Sequence, residues 1–295
     1  MKVAILIAVH KNPTQLKRLI HVFQSDAFTF FIHVDKKTDI AQFEQLRTIP
    51  NVHFIKKRTN VKWATYSQVR ATQICLEEIC AFGDFDYINF ISGQDFPIKS
   101  KEKFLRLLKD SPETEYINCI PYHPQDSWWV KNEKRITQYN LQNWLIPGKY
   151  KIQKIINKLL PARILPQTHT IAGNSCWFCI TGKCAKFVTE QLNSQKELLR
   201  FFKYVWGADE MVIPTIVFNS KYAKNTKNHL TFVSWGEKDN GHPEILIANR
   251  LTEIIASEKY FARKFDMEID NEIILSLEKH LKNSIEVSTN NYMRH

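Results

Sequence analysis

The stretch Val3–Val9, VAILIAV, is an uninterrupted apolar run that ends at His10 and Lys11. Such a run is typical of a strand buried on both faces of a sheet, because neither face meets solvent. Asn12 and Pro13 follow, and they favour the start of a helix through an N-terminal cap and a proline in the first turn. We therefore predict that the chain begins with a buried strand followed by a helix.

Strands and helices alternate through residues 1–120. Apolar runs predict further strands at Phe30–Val34, Val52–Ile55, Asp86–Ser92 and Glu115–Ile120, with a helix at Val69–Cys80. This alternation indicates an α/β fold with a mostly parallel central sheet and flanking helices.

The second half of the chain has a less regular pattern. We expect residues 121–173 to form an elaborated loop region that contains a short helix near 149–160. Further along, the pattern predicts strands at Ser175–Thr181 and Leu230–Trp235, helices at 183–192 and 209–218, and two C-terminal helices. No linker rich in Gly, Ser or Pro divides the chain, so we predict a single domain over residues 1–295.

Polar residues stand where the predicted strands end. His10, Asp35 and the segment Gly93–Asp95 each follow an apolar run. In an open parallel sheet, ligands bind beyond the carboxyl ends of the strands. Asp35 has the position of a carboxylate that accepts hydrogen bonds from a ribose or a base, although a turn or a helix cap would favour aspartate equally.

The common nucleotide-binding motifs are absent from the sequence. Neither the P-loop pattern nor the G-x-G-x-x-G pattern follows the first predicted strand. The single Asp-x-Asp, at Asp84 and Asp86, precedes its strand and so lies at the wrong end of the sheet for a metal that holds a diphosphate. If the ligand carries a diphosphate, cationic side chains would have to neutralise it in place of a metal. The candidates are Lys221–Lys227, Lys238 with His242, and Arg263 with Lys264.

Six cysteines fit a reduced compartment, in which they act as small apolar residues. Cys176 and Cys179 have the spacing of a zinc-binding pair, but positions i and i+3 of a strand point to opposite faces. The apolar run at Val3–Val9 is too short for a signal peptide or a membrane span. We therefore expect a cytoplasmic protein without a zinc site.

The net charge of +11 indicates an anionic partner. Between Lys131 and Arg163, eight Lys and Arg residues stand against one acid, Glu133, and they are interleaved with aromatic and aliphatic residues. Two interpretations are open for this region: a solvated loop and helix face, or a surface that meets an anionic or lipid-linked substrate at a membrane.

Seven blocks of sequence, in order over nearly the whole chain, resemble one family. The blocks are Ile5–Leu16, Phe31–Lys37, Val61–Ser67, Ser92–Lys99, Gly173–Phe178, Ala208–Glu210 and Phe261–Asp266. They resemble the Core-2/I-branching β-1,6-N-acetylglucosaminyltransferases and peptide O-xylosyltransferases, glycosyltransferase family 14. The resemblance implies a GT-A-like fold, with residues 1–120 as the nucleotide-binding half and 121–295 as the acceptor and catalytic half.

The resemblance also implies a reaction. A sugar would be transferred, with inversion and without a metal or other cofactor, from a uridine diphosphate (UDP) sugar to a hydroxyl of a glycan. N-acetylglucosamine is the favoured sugar, and the alternatives are xylose or a different hexose from N-acetylglucosamine. A lipid-linked glycan is one candidate acceptor. No nucleic acid partner is implied.

The resemblance assigns roles to individual residues. Glu210 matches the catalytic base, and Arg263 and Lys264 match the basic pair that binds the donor diphosphate. The uridine contacts of the family match Val9, His10 and Asp35, and the block that lines its donor-sugar pocket contains Gly93 and Asp95. A phosphate contact matches His242. The acceptor contacts match Lys131, Lys134, Arg135 and Trp235.

The sequence departs from the family pattern at three places. Ala208 replaces the usual proline, Gly241–Pro243 stands where the animal enzymes carry an arginine, and no membrane anchor, stem or disulfide is evident. These departures agree better with a bacterial-type enzyme in the cytoplasm than with the animal enzymes. In one interpretation the enzyme lies at the inner membrane surface.

Alternatives remain open at several of these residues. Asp209 and Glu210 could occupy the first turn of a helix, where acids complement the helix dipole, and Asp209 could cap or orient. Trp128, Trp129 and Trp235 could stack on sugars or pack in the core. Two other classes of protein are a binder of anionic polymers, which would not need Glu210, and a glycoside hydrolase, for which adjacent acids make a poor pair.

Overall fold

Two sheets and the helices that flank them make up the fold in the computed structural model, which describes residues 1–236 and 242–292, the last nine as backbone only. The strands of this part are β1 Val3–Val9, β2 Phe28–Val34, β3 Val52–Phe54, β4 Tyr87–Ser92, β5 Asp95–Pro97, β6 Glu115–Pro121, β7 Ala172–Thr181, β8 Thr226–Lys227, β9 Thr231–Val233 and β10 Phe261–Arg263.

The helices of the same residues include several of fewer than eight residues. They are α1 Pro13–Phe23, α2 Tyr66–Phe82, α3 Lys101–Asp110, α4 Ser127–Asn132, α5 Lys134–Thr137, α6 Lys149–Leu159, α7 Gly182–Ser194, α8 Lys196–Phe202, α9 Val212–Phe218, α10 Leu251–Ala256 and α11 Glu272–Tyr292. No helix in the described ranges is long and apolar enough to cross a lipid bilayer.

The central sheet confirms the α/β prediction. Its strand order is β3-β2-β1-β4-β7-β6-β8, and β7 alone runs antiparallel to its neighbours. The register pairs Val9 with Val34 and Ala8 with Ser92, so β1, β2 and β4 reach the same edge together. The sheet also joins both halves of the chain, because β4 pairs with β7 at its centre.

Each face of the sheet carries its own hydrophobic cluster. Along β1, Ile5 and Ile7 belong to the cluster beneath α1 and α11, while Ala4 and Leu6 belong to the cluster beneath α2, α7 and α9. This division follows the two-residue period of a strand. Covered on both faces, β1 has almost no contact with solvent, as its uninterrupted apolar run predicts.

The same period separates the two cysteines with zinc-like spacing. Cys179 is fully buried in the α1 side of the core, whereas Cys176 packs against the opposite cluster. All six cysteines lie in the described residues, and all six thiols are unpaired.

Some predicted boundaries are wrong. Residues 208–210 form a separate 3₁₀ turn before α9, so Asp209 and Glu210 are not in the first turn of that helix. The predicted strand at Leu230–Trp235 shrinks to the three residues of β9, which belongs to the second sheet. Asn12 does not cap α1 with its side chain, because its carboxamide donates instead to Asp266 Oδ1 at 2.7 Å.

A second, three-stranded sheet has the order β5-β10-β9. Strand β10 runs antiparallel to β5 and parallel to β9, and Arg263 pairs with Asp95 on one side and Val233 on the other. Because β5 begins three residues after β4 ends, this small sheet stands beside the carboxyl edge of the central one.

Candidate active site

A cleft of about 1130 Å³ opens beyond the carboxyl ends of β1, β2 and β4. Its volume exceeds the roughly 300–1,000 Å³ of typical small-molecule pockets, so it has room for two substrates side by side. Residues from both halves of the chain form its walls. The predicted site residues that line it are Val9, His10, Asp35, Glu210, Trp235, His242, Arg263 and Lys264.

Asp35 is a fixed, nearly buried carboxylate at the end of β2. Its Oδ1 accepts a hydrogen bond from the Lys37 backbone N–H at 3.0 Å, and Lys37 Nζ lies 3.6 Å from Oδ2. The Asp35 N–H donates to Val9 O at 2.9 Å, which joins the ends of β1 and β2. The aspartate therefore forms a turn and also faces the cleft, and its role in binding a ribose or a base stays a prediction.

His10 presents a neutral imidazole to the cleft. Burial and the charges of Lys11 and Lys264 lower the pKa of His10, because each of them disfavours the imidazolium. Gly93, by contrast, does not line the cleft. A Cβ at Gly93 would lie 2.8 Å from Val9 Cγ1, so the glycine allows the ends of β1 and β4 to approach closely.

Asp95 lies beneath the cleft rather than in its wall. It is fully buried, its Oδ2 accepts from the Ser92 N–H at 2.6 Å, and its Oδ1 lies 3.5 Å from Arg263 Nε. That distance makes an ion pair without a hydrogen bond, and both atoms otherwise have no partner in the described structure. Burial raises the pKa of Asp95 and the Arg263 charge opposes the rise. Asp95 therefore positions Arg263.

Arg263 and Lys264 form the cationic end of the cleft. The Arg263 guanidinium stacks on Trp177, with 4.3 Å from its central carbon to the ring centroid. Burial and then the charges of Arg263 and Lys11 lower the pKa of Lys264. Lys11 is ion-paired with Asp266, whereas Lys264 Nζ has no carboxylate within ion-pair distance among the described residues. A bound anion would relieve this concentration of positive charge.

Glu210 is held by an arginine from the loop region. Arg135 Nη2 donates to Glu210 Oε2 at 2.6 Å, while Arg135 Nε donates to Trp206 O at 3.1 Å and Nη1 donates to Asn132 Oδ1 at 2.9 Å. The Glu210 side chain keeps 28% of its surface exposed. Within residues 1–236 and 242–292, its Oε1 accepts no hydrogen bond, so that oxygen can still accept a proton from a ligand.

Asp209 has a different environment from its neighbour. Its carboxyl is buried, and its Oδ1 has no hydrogen-bond partner among the residues that the structure describes. Burial, reinforced by the Glu210 charge, raises the pKa of Asp209 to about 7. The two acids therefore lie in different surroundings: the Asp209 carboxyl is buried, whereas the Glu210 side chain is partly exposed and paired with Arg135.

Gly207 is a site residue that the sequence analysis missed. Its φ of +67° is in the left-handed region, and a Cβ there would lie 1.8 Å from Arg135 Nη2. Glycine thus provides both the backbone turn and the space for the guanidinium that binds Glu210. The position of Gly207 directly before Ala208–Glu210 is the sequence signal that could have identified it.

Aromatic side chains form the wall near Glu210. Trp63 packs edge-on against Trp206 at 5.4 Å between ring centroids and lies 4.6 Å from the His242 ring. Trp63 and Trp235 are both about half exposed, as residues that stack on a ligand need to be. Trp128 also lines the cleft, but the interpretation of Trp129 as a stacking residue is wrong, because Trp129 is fully buried.

Other predicted residues lie away from the cleft. Lys131 and Lys134 have exposed side chains on α4 and α5, whereas Arg135 on α5 reaches Glu210. The segment Lys221–Lys227 does not line the cleft either. Lys238 and Gly241 are outside the described residues.

Metal ligands are not grouped at the site. In residues 1–236 and 242–292, no three His, Cys, Asp or Glu side chains are placed to hold a metal ion. Asp86 accepts a hydrogen bond from the Lys2 N–H at 2.6 Å, at the start of β1. The Asp84–Asp86 pair therefore lies at the edge of the sheet opposite the cleft, as predicted.

A mostly parallel sheet with a wide cleft at its carboxyl edge agrees with the predicted GT-A-like α/β fold. The family model for the Core-2/I-Branching enzyme matches residues 3–259. The chain belongs to this glycosyltransferase family, as the resemblance predicts.

Relatives with named activities align over most of the chain. Xylosyltransferase oxt of Drosophila melanogaster is 22% identical over 95% of this chain and 33% of its own length. The human beta-1,3-galactosyl-O-glycosyl-glycoprotein beta-1,6-N-acetylglucosaminyltransferase is 24% identical over 95% of this chain and 69% of its own length. The chain thus spans about a third of the xylosyltransferase and about two thirds of the human enzyme.

Solved structures show only weak likeness. An active-site mutant of LgtC gives a TM-score of 0.42 at 10% identity over 90% of this chain and 87% of that one. Mouse xyloside xylosyltransferase 1 gives 0.39 at 8% identity over 88% and 96%. Both scores are low, so the fold assignment depends on the sheet topology and the family match.

Proposed function

We propose that the chain is an inverting glycosyltransferase that moves a sugar from a UDP-sugar to a glycan hydroxyl without a metal ion. The observation that carries this proposal is that Glu210 and the pair Arg263 and Lys264 line one cleft at the carboxyl edge of the sheet. A carboxylate base and a cationic clamp are the two groups that such a displacement needs.

Glu210 would act as the general base. The acceptor oxygen forms a bond to the anomeric carbon, the bond from that carbon to the UDP oxygen breaks, and the acceptor proton passes to Glu210. Attack from the face opposite UDP inverts the anomeric centre. Arg135 holds Oε2 in place, while Oε1, which accepts no hydrogen bond from the described residues, would take the proton.

Arg263 and Lys264 would stabilise the charge that grows on the leaving diphosphate. Asp95 and Trp177 hold Arg263 in place, so little reorganisation is needed when the charge develops. Asp35 and His10, which line the same cleft, would bind uridine through an acceptor carboxylate and a neutral ring.

The donor that we favour is UDP-N-acetylglucosamine, from the resemblance described above. A second candidate is UDP-xylose, because several relatives are named xylosyltransferases. The acceptor is a glycan hydroxyl near the exposed rings of Trp63 and Trp235.

The test is a screen for UDP release from a panel of UDP-sugars, with and without EDTA, for the wild type, Glu210→Gln and the exposed-site control Glu113→Gln. We expect turnover that survives EDTA and falls by about 10²–10⁴-fold in Glu210→Gln alone. Loss of activity on chelation would contradict metal independence. Full activity of Glu210→Gln would show that Glu210 is not the general base. The absence of turnover with every donor would contradict the proposal that the chain is a glycosyltransferase.

The competing class, a binder of anionic polymers, makes a different prediction. Binding driven by the +11 charge would weaken steeply with salt and would not change in Glu210→Gln. Polyanion binding without turnover of any UDP-sugar would favour that class.

A further inference from the structure

Helix α6 is attached to the rest of the protein by a side that carries three polar residues. Lys149, Gln153 and Asn157 are spaced at i, i+4 and i+8 and therefore form one stripe. Gln153 Oε1 accepts from the Leu141 N–H at 2.8 Å, and Asn157 Oδ1 accepts from the Tyr139 N–H at 2.7 Å. Lys149 Nζ donates to Gln142 O at 2.9 Å, so all three side chains bind the segment 139–144.

Two apolar side chains of the same helix face outward, whereas Ile152 and Ile156 are half-buried on the attached side. Ile155 is 57% exposed and Leu159 is 74% exposed, and no residue of α6 is buried. A helix that packs on a globular core normally buries its apolar stripe and exposes its polar one. Ile155 and Leu159 lie outside the side of α6 that packs on the protein, so this packing does not account for these two apolar residues.

Neighbouring residues enlarge this exposed apolar surface. Leu145 is 84% exposed and Ile164 is 83% exposed, and both flank the helix in sequence. We define the α6 patch as Trp144, Leu145, Ile146, Ile155, Leu159, Leu160 and Ile164, all of them exposed. Exposed large apolar side chains concentrated in one segment of the chain are typical of a contact surface.

A row of lysines lies beside the α6 patch. Lys151, Lys154 and Lys158 are exposed and share one side of α6 through their i, i+3, i+7 spacing. No acidic residue occurs between Glu133 and Glu190, so nothing in the intervening sequence neutralises them. Apolar side chains bordered by lysines match the interface of an anionic bilayer, where acyl chains lie beneath phosphate groups.

We propose that the α6 patch docks on the surface of an anionic lipid bilayer. The apolar side chains enter the boundary between headgroups and acyl chains, and Lys151, Lys154 and Lys158 contact lipid phosphates. A second copy of the chain fits the surface less well, because a two-fold contact would bring two unneutralised lysine rows together. This proposal is independent of the proposed reaction.

The test is flotation of the full chain with vesicles of phosphatidylcholine, alone or mixed with phosphatidylglycerol. The wild type should float with the anionic vesicles and release at high salt. The double variant Ile155→Ser, Leu159→Ser and the triple variant Lys151→Gln, Lys154→Gln, Lys158→Gln should each bind at least tenfold more weakly. Urea unfolding of each variant should match the wild type, since none of these side chains is buried.

Matched controls remove the same kinds of side chain elsewhere. They are Ile269→Ser with Leu275→Ser, and Lys103→Gln with Lys109→Gln and Lys279→Gln, all exposed in the wild type. These controls should bind vesicles like the wild type. Equal losses in the controls, or no flotation of the wild type at low salt, would overturn the proposal. A dimer by analytical ultracentrifugation that Ile155→Ser, Leu159→Ser dissociates would also overturn it, by identifying a second copy as the occupant.

Discussion

Arg135 contacts three separate parts of the site. It binds the Glu210 carboxylate, the Trp206 carbonyl and the Asn132 carboxamide, and its guanidinium stacks on the Trp206 ring with 4.3 Å to the centroid. The planar guanidinium can serve all of these partners at once because its donors point in fixed directions. The position of Glu210 therefore depends on the space that Gly207 leaves for Arg135.

Gly207→Ala should damage both stability and activity. The added Cβ would require a left-handed alanine and would collide with Arg135 Nη2 at 1.8 Å. We expect the free energy of unfolding to fall by about 1–3 kcal/mol from backbone strain. UDP release should also fall, because Arg135 must move away from Glu210.

The matched control is Gly148→Ala. Gly148 also has a left-handed φ, of +72°, but a Cβ there meets no atom within 4 Å. It should lose similar stability in urea titrations and keep full turnover. Equal turnover in the two variants would show that the space beneath Arg135 does not matter.

Asp209 should make stability depend on pH. Its pKa is raised to about 7 in the folded protein, against about 3.9 for an ordinary aspartate. Between these values the folded chain holds a proton that the unfolded chain has released, so the stabilising contribution of this proton is lost as pH rises towards 7. Asp209→Asn, which does not titrate, should lack this decline.

Urea midpoints measured from pH 4 to pH 8 provide the comparison. The wild type should lose stability relative to Asp209→Asn as pH rises, and Asp110→Asn, at an exposed position, should keep the wild-type slope. Parallel curves for the wild type and Asp209→Asn would mean that the buried carboxyl is already ionised at low pH.

At the scale of elements, the small sheet controls the cationic end of the cleft. Strands β5, β9 and β10 have three residues each, and their register brings Asp95 opposite Arg263. The ion pair is therefore set by backbone pairing between segments that are far apart in sequence. A change at Asp95 should reach the diphosphate site through Arg263.

Asp95→Asn removes the buried negative charge and leaves Arg263 uncompensated. We expect the free energy of unfolding to fall by about 3–5 kcal/mol, as for other broken buried ion pairs. UDP affinity in calorimetry should also weaken. Asp84→Asn is the control, because Asp84 and Lys186 form an exposed pair, whose loss should change stability very little. Similar losses in both variants would contradict a structural role for the buried pair.

The elements that the sequence predicts well are those with local patterns. Strand β1 matches its predicted bounds because every residue from Val3 to Val9 is apolar. Strands β5 and β10 were not predicted, because three residues carry no periodicity and their pairing is a long-range contact. The helix predicted near 149–160 matches α6, but the exposure of Ile155 and Leu159 cannot be read from its amphipathic pattern.

The site residues divide in the same way, into those that a local sequence pattern predicts and those that only long-range contacts bring together. Strand ends such as His10 and Asp35 could be placed at the cleft because parallel strands share an edge. The contact of Arg135 with Glu210 could not, because the two residues are 75 positions apart and meet only in the folded chain. The roles predicted from the family resemblance for these residues stay predictions.

For the whole molecule, the central sheet makes the two halves of the chain interdependent. Residues 1–120 supply β4 and residues 121–295 supply β7, and Ile88 pairs with Ile180 at the centre of the sheet. Both hydrophobic clusters contain side chains from each half. Neither half can expose its edge of the sheet without losing buried contacts.

We therefore expect one cooperative unfolding transition in urea. Far-UV circular dichroism follows the helices and strands of the whole chain, and tryptophan fluorescence follows the cleft and the α4 region, where most tryptophans lie. The two midpoints should coincide. Separate midpoints would show that residues 1–120 and 121–295 unfold as independent units.

The segment that carries α6 also touches the cleft. Gln142 Nε2 donates to Trp63 O at 3.1 Å, and its own carbonyl accepts from Lys149 at the start of α6. With α6 in the headgroup layer, one wall of the cleft stays close to the bilayer. An acceptor carried on a lipid would then be found by lateral diffusion in two dimensions, at a high effective concentration and without any added contact in the cleft.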